Sequence, residues 1–270
     1  MASTDQLPNI ILFGDSLTEW GFYEDNRGFG WAMEQHFAGK ANVLNKGLAG
    51  YNSTWIKSYF GQIIQQANEP YAPPTLLFTI FLGANDACLP PAGAHVPLNQ
   101  YEENIREFVE IILTNEAMAD TKIVLITPPP INIQEPLEDT LNIGPAGKVE
   151  VDLEADKNTR GYRTYMSKKR YADKVMEIAK SYEDVTDQVI GLNFWKALID
   201  TALEQDERLA DDDAYDENRL PGCGLAGAKG FKQGYFTDGL HLDRLGYEVL
   251  FKELMASVLK KWPEMDKNWN

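Results

Sequence analysis

Histidine is nearly absent from this chain of 270 residues, with three copies at His36, His95 and His241. Chemistry that needs an imidazole base therefore has few places to sit. Cysteine is rarer still. Cys88 and Cys223 are too few for a disulfide scaffold and too far apart for a Cys-x-x-Cys metal or redox motif, so two free thiols in a reducing compartment are expected. Positive charge is in deficit, with 25 lysines and arginines against 41 aspartates and glutamates and a formal net charge of −16. Such a field repels phosphate backbones and anionic membrane surfaces, which excludes nucleic acid as an expected partner. No apolar run approaches the roughly 18–20 residues that span a bilayer, and Met1–Pro8 is polar, without the apolar stretch of a signal peptide. Stable membrane insertion is not expected; a cytoplasmic location is. No cluster of histidine, cysteine and carboxylate has metal-ligand spacing, so neither metal nor cofactor is expected. No linker rich in Gly, Ser or Pro divides the chain and no repeat runs through it. One domain over residues 1–270 is expected, with loop insertions at about 131–160 and 205–233. Homodimerisation is compatible with the sequence.

Among what is present, Ile10-Ile11-Leu12-Phe13-Gly14-Asp15-Ser16-Leu17-Thr18-Glu19 stands out. Its consecutive apolar residues suit a strand buried on both faces of a parallel sheet. Gly14 then permits a tight turn, and Ser16 emerges beyond the strand's C-terminal end, where open α/β sheets bind ligands. Two roles are open to Ser16 on this stretch alone. It is placed as a nucleophile, and with Glu19 it also spells S-x-x-E, a capping box in which the serine satisfies orphan backbone donors.

Short apolar runs at Ala41–Asn45, Thr75–Leu82 and Lys122–Thr127 predict further strands, with a weaker one near Gln188–Leu192. Ile105, Phe108, Val109, Ile112 and Leu113 recur at helical spacing. Helices are also predicted over Trp31–Phe37, up to Ala67, around Ala172–Ala179, over Phe194–Glu204 and, with Asp243 as N-cap, from Leu245 to Val258. Alternating strands and helices predict a doubly wound, flavodoxin-like three-layer α/β sandwich with about five parallel strands.

The turns after these strands carry the remaining candidates. In Gly47–Ser53, the glycines Gly47 and Gly50 are either turn punctuation or places where a backbone N–H approaches an anion. In Gly83-Ala84-Asn85-Asp86, Asn85 is either part of an ordinary turn or an amide donor at the mouth of the sheet. Asp238-Gly239-Leu240-His241 puts an aspartate three residues before a histidine. His36 lies in a predicted helix with no acid in register, and His95 lies in a loop rich in Pro and Gly. The Asp211-Asp212-Asp213 triplet reads as a solvated face rather than a cation site.

A serine hydroxyl is a weak nucleophile until a base takes its proton, and that base works best when a carboxylate sets its tautomer. One loop can deliver both partners, Asp238 to Nδ1 of His241 and Nε2 to Ser16. The Ser16 and Gly50 N–H groups and the Asn85 amide are candidate oxyanion donors. Together, Phe13-Gly14-Asp15-Ser16-Leu17, Gly50, Gly83-x-Asn85-Asp86 and Asp238-x-x-His241 resemble the four blocks of the GDSL, or SGNH, hydrolase family, from about Asn9 to Lys260. The resemblance implies that Ser16 is nucleophile and oxyanion donor, that Gly50 and Asn85 are the other donors, and that Asp238 and His241 complete the triad. Gly47 is the rival to Gly50. The Thr127-Pro128-Pro129-Pro130-Ile131 run and the Asp238-Gly239-Leu240-His241-Leu242 ending look most like the family's intracellular esterases that hydrolyse isoamyl acetate.

The expected function is thus a metal-independent serine esterase for short-chain, acetate-type esters. Rivals on the same site are a carbohydrate O-acetylesterase, a lysophospholipase or thioesterase, and an acyltransferase; the rival of another class is a non-catalytic binding protein on the same fold. Trp20, Tyr51, Trp55 and Leu89 neighbour the blocks and are candidates to line the acyl site, with core packing the expected role for each aromatic.

Overall fold

The computed structural model describes residues 6–90, 92–133, 141–143, 149–151, 163–225 and 227–266. In chain order the strands are β1 (Asn9–Gly14), β2 (Asn42–Gly47), β3 (Thr75–Phe81), β4 (Lys122–Ile126), β5 (Leu141–Ile143), β6 (Val149–Val151) and β7 (Val189–Leu192). The helices are α1 (Ser16–Glu19), α2 (Phe29–His36), α3 (Lys57–Ala67), α4 (Leu98–Thr114), α5 (Tyr165–Tyr182), α6 (Phe194–Gln205) and α7 (Arg244–Lys261). Five strands form one parallel sheet in the order β2-β1-β3-β4-β7, while β5 and β6 make a separate antiparallel pair. The expected doubly wound architecture is the one observed.

The apolar runs of β1, β3 and β4 are continuous because these inner strands are covered on both sides, whereas β2 at the sheet edge is only partly buried. Ile10 and Leu12 of β1 point into one core with Leu77, Phe81, Val124 and Ile126, packed under Phe29, Phe194, Leu198, Tyr247 and Leu250 of α2, α6 and α7. Ile11 and Phe13 point the other way, with Phe78, Ile80, Ile123 and Leu125, under Phe60, Ile105, Phe108, Val109, Val175 and Ile178 of α3, α4 and α5. The period of two along each strand divides one apolar run between two cores. Phe13, Phe60 and Phe108 interlock, with ring centroids 4.7–5.5 Å apart.

Strand order reverses at β1, whose neighbours are β2 on one side and β3 on the other. The crevice beyond the carboxyl ends of strands at such a switch point is where these sheets hold ligands. The loops carrying Ser16, Gly50 and Asn85 leave the sheet there.

Several expectations about the loops are corrected or fall outside the described residues. β2 runs on through Gly47, which pairs with Gly14, so Gly47 belongs to the strand and not to the turn after it. The loop insertion expected at about 131–160 falls mostly on residues outside those described. Residues 205–233 are largely turns, in which Asp211, Asp212 and Asp213 are exposed and Asp211 and Asp213 pair with Arg208 and Arg219. Both cysteines are buried and neither is in a disulfide. Among the described residues, no helix is long and apolar enough to cross a membrane.

Candidate active site

The first strand delivers Ser16 through a turn that tolerates only glycine at position 14. A Cβ on Gly14 would lie 2.2 Å from Thr18 Oγ1 and 2.4 Å from the Phe81 carbonyl. The helix that follows is capped by Asp15, whose Oδ1 accepts the Leu17 N–H at 2.9 Å. The capping box expected as one role for Ser16 is therefore absent. Asp15 sits one residue nearer the strand and reaches the orphan donor first, which leaves the serine hydroxyl free for another partner.

That partner is His241. Its Nε2 lies 3.1 Å from Ser16 Oγ, across 225 residues of sequence, and its Nδ1 lies 2.7 Å from Asp238 Oδ2. Asp238 Oδ1 meanwhile accepts the backbone N–H groups of Leu240 and His241 at 2.9 and 2.8 Å. Burial opposes ionisation of Asp238, but the hydrogen bonds from the His241 ring and from these two amides outweigh it and hold the carboxyl well below the usual carboxylate range. The Trp20 ring rests against the imidazole, with centroids 4.2 Å apart.

The loop itself is pinned from β4's side. Asn132 donates its N–H to the Gly239 carbonyl at 2.8 Å, and its Oδ1 accepts the Phe231 N–H at 2.9 Å. Gly239 has φ +82°, and a Cβ there would meet the Asn132 carbonyl at 2.5 Å. Glycine is thus required twice over, by the left-handed backbone and by the close approach. Gly239→Ala should displace the loop and lower kcat by more than tenfold, with the strain itself costing on the order of 1–3 kcal/mol. Activity and thermal midpoint measured together check this; a variant matching the wild type in both would refute it.

The other candidate positions converge on the same edge. Gly50 is exposed, has φ +81° and has no atom within 4 Å of the place a Cβ would occupy. Among the described residues neither its N–H nor that of Ser16 has a protein acceptor. Gly47 differs on both counts. Its N–H donates to Asn45 Oδ1 at 3.0 Å, and a Cβ on it would strike the Glu19 nitrogen at 2.3 Å. Its glycine serves the packing of α1 against β2. Glu19 joins the two loops from its other end, since its side chain accepts the Ala49 N–H.

Asn85 is buried at the end of β3, and its Nδ2 donates to the Tyr51 carbonyl at 2.7 Å. Next to it Asp86 accepts the Ser53 N–H at 2.9 Å, tying this loop to the one after β2. Burial pushes the Asp86 carboxyl up to about 7, against the hydrogen bonds from Ser53. The remaining histidines lie elsewhere. His36 has an acid after all, Asp266 at 3.4 Å, which the C-terminal segment supplies from far along the chain. His95 Nδ1 is 2.5 Å from the Cys88 carbonyl. Core packing is corrected for two aromatics: Tyr51 and Trp55 are 40% and 51% exposed, because the loop that carries them lies on the sheet's open edge.

Two residues that the sequence did not single out are built into this edge. Arg163, just before α5, is buried; its Nε donates to the Ala84 carbonyl at 2.5 Å and its Nη2 to Asn85 Oδ1 at 2.6 Å. Lys168 on α5 is fully buried, and its Nζ has no hydrogen-bond partner among the described residues. Burial drives the Lys168 ammonium well below its usual range and the Asp15 carboxyl above its own, each group's charge partly offsetting the other's shift. A sequence signal existed. Cations crowd the start of α5, where the helix dipole disfavours them, so their placement needed another reason. No group of three or more His, Cys, Asp or Glu side chains among the described residues is placed to hold a metal ion.

Known proteins resemble this chain in sequence and in fold. The family model for the GDSL-like lipase/acylhydrolase matches residues 10–254. The isoamyl acetate-hydrolyzing esterase 1 homolog of Rattus norvegicus is 29% identical over 262 residues, covering 96% of this chain and 82% of the relative. A GDSL esterase/lipase of Arabidopsis thaliana is 29% identical over 256 residues, covering 93% and 86%. A solved structure of an acetylxylan esterase from Geobacillus stearothermophilus superposes with a TM-score of 0.54 at 16% identity, covering 97% of this chain and 96% of that one, a likeness of fold. With its five-stranded parallel sheet and a family match over residues 10–254, this protein belongs to the GDSL-like lipase/acylhydrolase family and is a carboxylic ester hydrolase.

Proposed function

We propose that the chain hydrolyses short-chain, acetate-type esters through Ser16, His241 and Asp238, with the Ser16 and Gly50 N–H groups and the Asn85 amide as the oxyanion hole. The observation that carries this is the hydrogen-bond chain from Ser16 Oγ through both nitrogens of His241 to Asp238. Asp238, held ionised, keeps the Nδ1 proton in place and leaves Nε2 as the acceptor for the serine proton. Ser16 attacks the acyl carbon and its proton passes to Nε2. The carbonyl oxygen, now negative, is met by the Ser16 and Gly50 N–H groups, which have no protein acceptor among the described residues, and by the Asn85 hydrogen that Tyr51 does not take. His241 returns the proton to the leaving alcohol, and the ester becomes an acyl-enzyme. Water, deprotonated by the same imidazole, then releases the acid.

The short acyl group is inferred from the resemblance of the Thr127–Ile131 and Asp238–Leu242 segments to isoamyl acetate-hydrolysing esterases and from the likeness to a relative of that name. The formal net charge of −16 argues for an uncharged ester and against nucleic acid, and buried cysteines outside any disulfide suit the cytoplasm. A second reading has an observation of its own. The rings of Tyr51 and Trp55, on the β2–α3 loop that carries Gly50, are exposed, and exposed aromatic rings suit stacking on the sugar of a carbohydrate acetate ester. Hydrolysis of p-nitrophenyl esters from acetyl to palmitoyl, with an acetylated oligosaccharide as competitor, separates these. Turnover should peak at acetyl to butanoyl. A peak at long chains would overturn the acetate reading, and strong competition by the oligosaccharide alone would favour the sugar ester.

A further inference from the structure

An amide that serves an oxyanion must present nitrogen, not oxygen, to the reacting carbonyl. In Asn85 that orientation is fixed from both ends by groups of opposite hydrogen-bonding sense. The guanidinium of Arg163 can only donate, so the Asn85 atom 2.6 Å from Nη2 is the oxygen; the Tyr51 carbonyl can only accept, so the atom 2.7 Å from it is the nitrogen. One Nδ2 hydrogen goes to Tyr51, and the second remains for the substrate. Arg163 also holds the backbone on which the amide stands, through the Ala84 carbonyl. Arg163 brings a planar, positively charged fork to this buried place. A fixed positive charge on the amide oxygen draws electron density from the nitrogen and makes the remaining N–H a stronger donor.

We propose that Arg163 is a positioning residue of the esterase site, which acts on catalysis by orienting and polarising the Asn85 amide toward the oxyanion. Its place explains a feature of the sequence, for Arg163 closes the acidic segment before α5, so this segment ends by returning a cation to the sheet edge. The proposal rests on Asn85 being an oxyanion donor. Its effect falls on kcat and not KM, because the oxyanion exists only beyond the ground state.

The test is a double-mutant cycle of Arg163→Met and Asn85→Ala, assayed for kcat, KM and thermal midpoint on p-nitrophenyl acetate. Asn85→Ala should lose on the order of 10²–10³ in kcat. Arg163→Met should lose about 10–10² in kcat with KM within about threefold, and the double variant should be no slower than Asn85→Ala alone. Arg163→Gln keeps a neutral donor and should recover part of the loss; Arg163→Lys keeps charge and a single-point donor and should do likewise. If Arg163→Met does not fold, the same cycle is run on these two. A loss at Arg163 below threefold, or losses that multiply in the double variant, would overturn the proposal while leaving Asn85 in its role. A loss below threefold at Asn85 would overturn the oxyanion assignment and the proposal together.

Discussion

Ser16→Ala is expected to lower kcat on p-nitrophenyl acetate by about 10⁶-fold and to leave the thermal midpoint unchanged. The first half follows from the geometry: Ser16 Oγ lies 3.1 Å from His241 Nε2, the base that its proton needs. The second half follows from Asp15. Because Asp15 caps α1, removal of the serine hydroxyl takes nothing from the helix start. A capping serine would behave in the opposite way, losing about 1 kcal/mol and about 2–4 °C in midpoint with activity largely retained. Kinetics and thermal melts on one preparation therefore decide between the two roles. Retention of more than a hundredth of wild-type kcat would sink the nucleophile.

Asp238→Asn should cost about 10⁴ in kcat, through proton placement and not through lost structure. The two carboxylate oxygens have different partners: Oδ1 takes the backbone N–H groups of Leu240 and His241, and Oδ2 takes the His241 ring. An asparagine must keep its oxygen toward the two amides, since both of them donate. Its NH₂ group then faces Nδ1 and forces that nitrogen to accept. The imidazole proton moves to Nε2 and points at Ser16, where an acceptor is needed. The loop should hold its shape because its two backbone bonds survive, so the thermal midpoint is expected to fall by no more than a few degrees. A loss of less than tenfold in kcat, with the fold intact, would refute the assignment of Asp238.

Much of this site is legible before folding, and the reasons are local. β1 and α1 announce themselves by an apolar run, a glycine and a serine in sequence, and the Asp238–His241 spacing is that of a single turn. Other features were ambiguous for an equally physical reason. Ser16 and Asp15 are both good caps, and which of them wins depends on backbone angles at one residue. Gly47 and Gly50 look alike as letters, and they separate only when β2 is seen to continue through Gly47 and to press it against α1.

What the sequence determined by itself was the fold class, from alternating strand and helix periods, and the residue types of the candidate triad and oxyanion hole, from four short blocks. What tertiary structure alone decided was partnership across long distances. Asn85 meets Arg163 across 78 residues, Lys168 is buried near the charge of Asp15, and Tyr51 and Trp55 stand at the open edge and not in the core. Periodicity reports which face of its own element a side chain takes; it carries no information on which other element lies opposite. That is set by strand order, and here the order β2-β1-β3-β4-β7 brings the turns after β1, β2 and β3 to one crevice.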